Sequence, residues 1–158
     1  MERTTIDYNL PVTLDELKNH LHITSDDFDD TLLLNLRSAT AAAESFTSME
    51  LRQRIETVSV LFTKTFICPD DATINFVSVD GESVLYERVN NMVYVGVDKG
   101  EKMQYQLTFG YTDINCPEDI KMAILLSAAR YFNNPVDSVE QLPKASTALL
   151  RRYKRYMI

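Results

Sequence analysis

The chain has 158 residues, 45% apolar and 25% charged, with a formal net charge of −7. This is ordinary globular composition with enough chain for a self-supporting core, and the negative sign argues against a general nucleic-acid coat protein. No apolar run is long enough to span a bilayer, and residues 1–5 lead into no apolar stretch, so neither a membrane segment nor a leader is expected. Cys68 and Cys116 stand apart without metal-ligand spacing, which predicts two free thiols.

The charge is unevenly spread. Residues 1–50 carry ten acidic and three basic side chains, equal to the whole net charge, whereas residues 137–158 carry five basic and two acidic ones. One end is acidic and the other basic.

In chain order, Thr13-Leu14-Asp15-Glu16 has the form of a capping box, and Leu14, Leu17 and Leu21 give the short helix behind it an apolar stripe. Ser25-Asp26-Asp27 predicts the start of a second helix, with Phe28, Leu32, Leu36, Ala39, Ala43 and Phe46 at helical spacing as far as Thr47. Alternation and β-branched residues then predict strands at 57–64, 74–79, 83–89, 92–97 and 103–109. Asp80-Gly81 and Asn90-Asn91 are two-residue turns between them, and residues 98–101 form a third turn. Pro117 suits a first helical position, and Glu118 and Asp119 suit the positive end of the helix dipole. Two apolar stripes follow: Ile120, Ala123, Ile124, Ala128, Tyr131, and Met122, Leu125, Leu126, Ala129, Phe132. A helix apolar on nearly every side is expected to be buried, so residues 117–134 are the predicted centre of the fold. Asn133-Asn134-Pro135 ends it. A last helix is expected from Lys144 to Met157.

The expected fold class is therefore α+β. About four helices are built round the central one at 117–134, with an antiparallel meander of about five strands inserted over 51–110 between helical ends at 1–48 and 111–158. A single domain over 1–158 is expected.

Little in the sequence points to catalysis. The four glycines form no phosphate-cradling loop, and no serine or cysteine sits in a nucleophile motif. His20 and His22 lie at a helix end, where capping or surface roles outweigh metal binding. Asp26, Asp27, Asp29 and Asp30 lack the glycine and final glutamate of a calcium loop. They read as helix-end charge and solvated surface, or as an acidic surface offered to a channel or partner. No enzyme, cofactor or metal is expected. The basic run Arg151, Arg152, Tyr153, Lys154, Arg155, Tyr156 could bind nucleic acid weakly, or flank an apolar seam of Leu149, Leu150, Tyr153 and Met157 held for a protein partner, or be a solvated end. The protein contact is the favoured reading. On it the segment from Leu149 is an arm, and a chain cut after Ala148 is expected to keep its fold.

Three pieces in order resemble the head–tail connector (head-completion adaptor) family of tailed phages and prophages. They are Val12-Thr13-Leu14 through to the Ala42-Ala43-Glu44-Ser45-Phe46-Thr47 end of the second helix, Gly110-Tyr111 closing a strand, and the proline-led apolar helix from Pro117 to its aromatic and asparagine end. Ser48-Met49-Glu50 stands where such proteins usually carry a glycine and an arginine. The resemblance implies a structural protein that forms a homo-oligomeric ring under the portal protein, extends the channel for passing DNA without sequence-specific binding, and docks a tail-completion or stopper protein. It further implies a place in the virion neck, with assembly in the host cytoplasm and no membrane. Residues 149–156 become the candidate contact with the portal or a neighbouring subunit. Asp26, Asp27, Asp29 and Asp30 become the candidate acidic lumen or subunit contact. A non-enzymatic binding module or a small DNA-binding regulator are the competing readings.

Overall fold

The β-rich stretch builds a hydrophobic core of its own. The structure is a computed structural model that describes residues 2–134 and 142–155. It divides into two compact units, one of Met1–Tyr8 and Gln53–Gly110, the other of Asn9–Arg52 and Tyr111–Ile158.

The first unit is a sandwich of two antiparallel sheets. Strands β1 (Glu2–Asn9), β2 (Gln53–Leu61), β8 (Lys102–Phe109), β4 (Thr73–Val79) and β5 (Glu82–Ser83) form the larger sheet in that order. Strands β3 (Thr65–Ile67), β7 (Met92–Val95) and β6 (Tyr86–Val89) form the smaller one. The strand at the heart of the larger sheet is β8, because its two faces are chemically opposite. Met103, Tyr105, Leu107 and Phe109 are buried on one side, and Gln104, Gln106 and Thr108 lie on the other. β2 matches this alternation without a break from Arg54 to Leu61, and β4 matches it from Phe76 to Val79, beyond a register shift at Asn75. Phe66 of the smaller sheet stacks on Tyr105 of the larger at 4.1 Å between ring centroids.

The expected α+β class with about five antiparallel strands is met by the five-stranded sheet, and the smaller three-stranded sheet is an addition to it. The chain does not hairpin from β7 into β8; residues 98–101 carry it from one sheet to the other. The Asp80-Gly81 and Asn90-Asn91 turns form as the residues suggest, with Asp80, Gly81 and Asn90 all at positive φ. Strand β1 is the element that local pattern does not show. It ties in through Arg3, 3.6 Å from the buried Glu56 carboxylate, which Arg54 also meets at 2.7 Å. A carboxylate taken out of water needs such charged partners.

The second unit is helical: α1 (Leu14–Leu21), α2 (Asp29–Thr47), α3 (Glu118–Asn133) and α4 (Lys144–Leu150), the last followed by a 3₁₀ turn at Arg151–Tyr153. The capping box is real. Thr13 Oγ1 accepts from Glu16 N–H at 3.1 Å, and the Glu16 carboxylate accepts from Thr13 N–H at 2.8 Å. Lys121 on α3 donates to the same carboxylate at 2.6 Å, binding α1 to α3. Partial burial works against the Glu16 charge, but the Lys121 and Thr13 donors outweigh it and hold the carboxyl below its ordinary range. His22 ends α1 in the left-handed conformation, with Ile23 N–H donating back to Lys18 at 2.9 Å. This is a capping role in a Schellman-type turn.

Helix α3 meets all three other helices, and its first stripe, Ile120 to Tyr131, is buried among Leu17, Leu32, Leu36 and Leu150. Its second stripe is not. Leu125, Leu126, Ala129 and Phe132 are half-buried and Met122 is exposed, so the helix is amphipathic and not buried all round. Helix α2 begins at Asp29, four residues later than Ser25 suggests, because Lys18 draws Asp26 and Asp29 together at its ammonium (2.5 and 2.8 Å) and leaves Ser25, Asp26 and Asp27 in the loop.

The end of α2 carries a strain that can be measured. Ser48 adopts φ 55°, ψ 35° as the cap, and its N–H donates to Glu44 at 2.9 Å. A side chain in the left-handed region costs about 1–2 kcal/mol that glycine avoids, less the entropy glycine adds to the unfolded chain. Ser48→Gly is expected to raise stability by roughly 0.5–1 kcal/mol in denaturant titration. A fall in stability would show that the serine is held there by something more than the backbone.

Candidate assembly surfaces

Burial pushes the Cys116 thiol up to about 12 and also raises that of Cys68, so neither is a ready nucleophile. Among the described residues no group of three or more His, Cys, Asp or Glu side chains could hold a metal ion, and no helix is long and apolar enough to cross a membrane.

The basic end is docked on the helical unit. The expected helix to Met157 stops at Leu150, and the expected free arm is corrected by the burial of that residue: Leu150 has 0% exposure and belongs to the core with Ile120, Ile124 and Leu36. It is therefore removed from the candidate interface. Leu149 and Tyr153 are half-buried against the same core. Ser146 is also fully buried, where its hydroxyl lies 3.0 Å from that of Ser127 on α3, which gives its one proton to the Ala123 carbonyl at 2.8 Å and so accepts from Ser146. Beyond the 3₁₀ turn, Arg155 N–H donates to the Thr47 carbonyl at 2.8 Å and the Lys154 ammonium lies 5.0 Å from the Phe46 ring centroid. Arg152 pairs with Asp119 in the first turn of α3 and lies over the Tyr153 ring. Arg151, Arg152, Lys154 and Arg155 are all exposed, so the segment presents cations outward while its apolar residues face inward. Tyr156 and Met157 lie outside the described residues.

The acidic candidates separate into two kinds. Asp26 and Asp29 are bound to Lys18, whose hydrogen bonds hold the Asp26 carboxyl below its ordinary range. Asp27 accepts from Ser25 Oγ at 2.5 Å and, like Asp30, is exposed. The four charges are therefore not one open patch. Asp27 and Asp30 face water without the lysine.

A residue that sequence reasoning left without a role is Glu44. Its carboxylate accepts from the backbone N–H groups of Leu51 and Arg52, both at 3.0 Å, and from the Arg52 guanidinium at 2.7 Å. It thereby fixes the path by which the chain leaves α2. The spacing of Glu44 before Thr47 gives no hint of this, since its partners lie beyond the helix.

The comparisons with known proteins bear on these surfaces. A family model described as phage gp6-like head-tail connector protein matches residues 11–154. The chain belongs to that family. It is thus a structural connector of a phage-like particle, as the three sequence pieces imply. No curated protein sequence matches it. Among solved structures it is similar to a chain in the neck of an empty gene transfer agent particle computed with C6 symmetry, with a TM-score of 0.66 at 19% identity over 100% of this chain and 97% of that one. It is also similar to a chain in the neck of a native particle computed with C12 symmetry, at 0.62 and 20%, and to one in the virion of the native particle, at 0.64 and 20%, with the same coverage. The likeness in fold therefore includes the β unit, although the sequence pieces that carry the resemblance lie mainly in the helices.

Proposed function

We propose that this connector assembles as a homo-oligomeric ring beneath the portal of a phage-like particle, extends the channel through which DNA passes, and carries the next tail component. The observation that carries the reading is the match over the whole chain to neck subunits in particles of six- and twelve-fold symmetry, joined to the family membership. The protein acts in the virion neck after assembly in the host cytoplasm, and it has no enzymatic step. Arg151, Arg152, Tyr153, Lys154 and Arg155 form the contact for the portal or a neighbouring subunit. With their apolar side chains already docked, they engage an acidic rim as a preformed surface, at modest cost in chain entropy. Asp27 and Asp30 supply negative charge toward the lumen, where repulsion keeps DNA sliding and unheld. The DNA-regulator reading lacks support, because the basic run lies in a three-residue 3₁₀ turn that is too short to fill a major groove.

Particles produced without this protein are expected to accumulate as DNA-filled heads and unattached tails. Purified protein should then restore joining. Normal joining in its absence would rule out the connector role.

A further inference from the structure

The two outer faces of the β unit differ in a way the sandwich does not require. On the larger sheet the outward side chains are polar and bonded to one another: Gln104 to Ser59 at 3.2 Å, Gln106 to Thr57 at 3.1 Å, and Asn75 to Thr108 at 2.8 Å. That face is finished for water. On the smaller sheet the register sets Ile67, Met92 and Val89 directly opposite one another across β3, β7 and β6, with Tyr94 next along β7. A bond from Gly96 N–H to the Leu85 carbonyl at 2.8 Å continues the ladder and brings Leu85 onto the same face. Leu85 is 88% exposed, Ile67 65%, and Val89 and Tyr94 47% each. The alternate residues Phe66, Val93 and Val95 fill the core behind them. An antiparallel sheet with one face on the core ordinarily turns polar residues outward.

The frame of this face is held firmly. The Arg88 guanidinium donates to the carbonyls of Ala72, Pro69 and Asn90 at 2.7, 3.0 and 2.9 Å and pins the loop beside β3 to β6. Contiguity on a firm frame sets these residues apart from the singly scattered apolar side chains that any surface carries.

We infer that this face is the contact between successive copies of the chain, received in the cleft of the next copy's β unit that Glu2, Ser59, Val60, Leu61 and Lys102 line. This rests on the ring reading above. Size argues for a copy over a single unlike partner. Three strands about 4.8 Å apart and about four residues long cover roughly 200 Å². A stable pairwise complex uses about 800 Å² from each partner. So small a face holds weakly alone, and gains when identical contacts close a ring. Chemistry agrees. The cleft is a shallow, open depression of about 270 Å³, and within it Leu61, 79% exposed, is the apolar exception on the polar sheet. Lys102, opposite Leu61 in register, brings a cation there, and Glu87, opposite Tyr94, brings an anion to the apolar face. Topology agrees as well. Face and cleft lie on the two outer sides of one sandwich, so each copy offers one and accepts the other, which is the head-to-tail contact that a ring needs.

The test uses particles assembled with variant chains, with ring occupancy of the neck read by electron microscopy and contacts read by cross-linking mass spectrometry. Ile67→Glu should lower ring occupancy about tenfold while its melting is unchanged, since the side chain is already in water. Glu87→Lys and Lys102→Glu should each weaken the ring, and the double charge swap should restore it. Full rings with Ile67→Glu would overturn the contact. Single swaps that the double variant does not rescue would overturn the cleft as its receptor. Cross-links from the face to a different neck protein would overturn the copy as occupant. A wild-type chain that joins heads to tails without forming a ring would instead overturn the ring reading, and needs no variant to be recognised.

Discussion

Ending the chain at Ala148 is expected to unfold the helical unit. The cut removes Leu150, which is fully enclosed among Leu36, Ile120 and Ile124, and loss of such a side chain costs about 2.7–5 kcal/mol once the cavity is counted. It also removes the packing of Leu149 and Tyr153, the Arg155–Thr47 hydrogen bond and the Arg152–Asp119 pair. Against a total of about 5–15 kcal/mol for an ordinary domain, that is most of the margin. Circular dichroism should show lost helix and a missing or much lowered melting transition. Leu150→Ala should lower melting in the same direction, whereas Arg151→Ala, an exposed position, should leave melting alone and impair head joining. A truncated chain that melts like its parent would mean that the tail is spare to the fold.

The second large effect lies in the middle of α3. Ile124 has 0% exposure and belongs to the core of the helical unit, on the helix that α1, α2 and α4 all meet. Ile124→Ala is expected to cost about 2–5 kcal/mol, with a melting shift of several degrees per kcal/mol. Met122→Ala, on the same helix with its side chain 43% exposed, should cost far less. Equal effects at the two positions would contradict the one-sided burial of α3.

Comparing the two stripes of α3 shows what local sequence can and cannot reveal. Periodicity correctly places Ile120, Ile124 and Ala128 in the core, because helix geometry alone sets which residues share a face. It does not say how many neighbours a helix has, so Leu125 and Leu126 read as buried although the described residues leave them only half-covered. The capping box at Thr13 and the turns at Asp80-Gly81 and Asn90-Asn91 were legible, since their partners lie within four residues. Strand β1, the passage from β7 to β8 between sheets, and Glu44 reaching Leu51 and Arg52 depend on partners distant in sequence. The candidate surfaces follow the same division. The clusters of charge at Asp26–Asp30 and Arg151–Arg155 were plain, but Lys18 neutralising Asp26 and Asp29, and Leu150 anchoring the basic run, are tertiary facts. The apolar row of Ile67, Met92 and Val89 could be found only once register was known, because the three residues come from separate strands.

The most direct test of the connector assignment is an electron-microscopic reconstruction of the neck of the particle that carries this protein. The account predicts this fold, helical and β units both, repeated as a closed ring between the portal and the first tail component, with DNA density along its axis. Its absence from the neck, or its presence there as isolated copies that touch neither the portal nor one another, would contradict it.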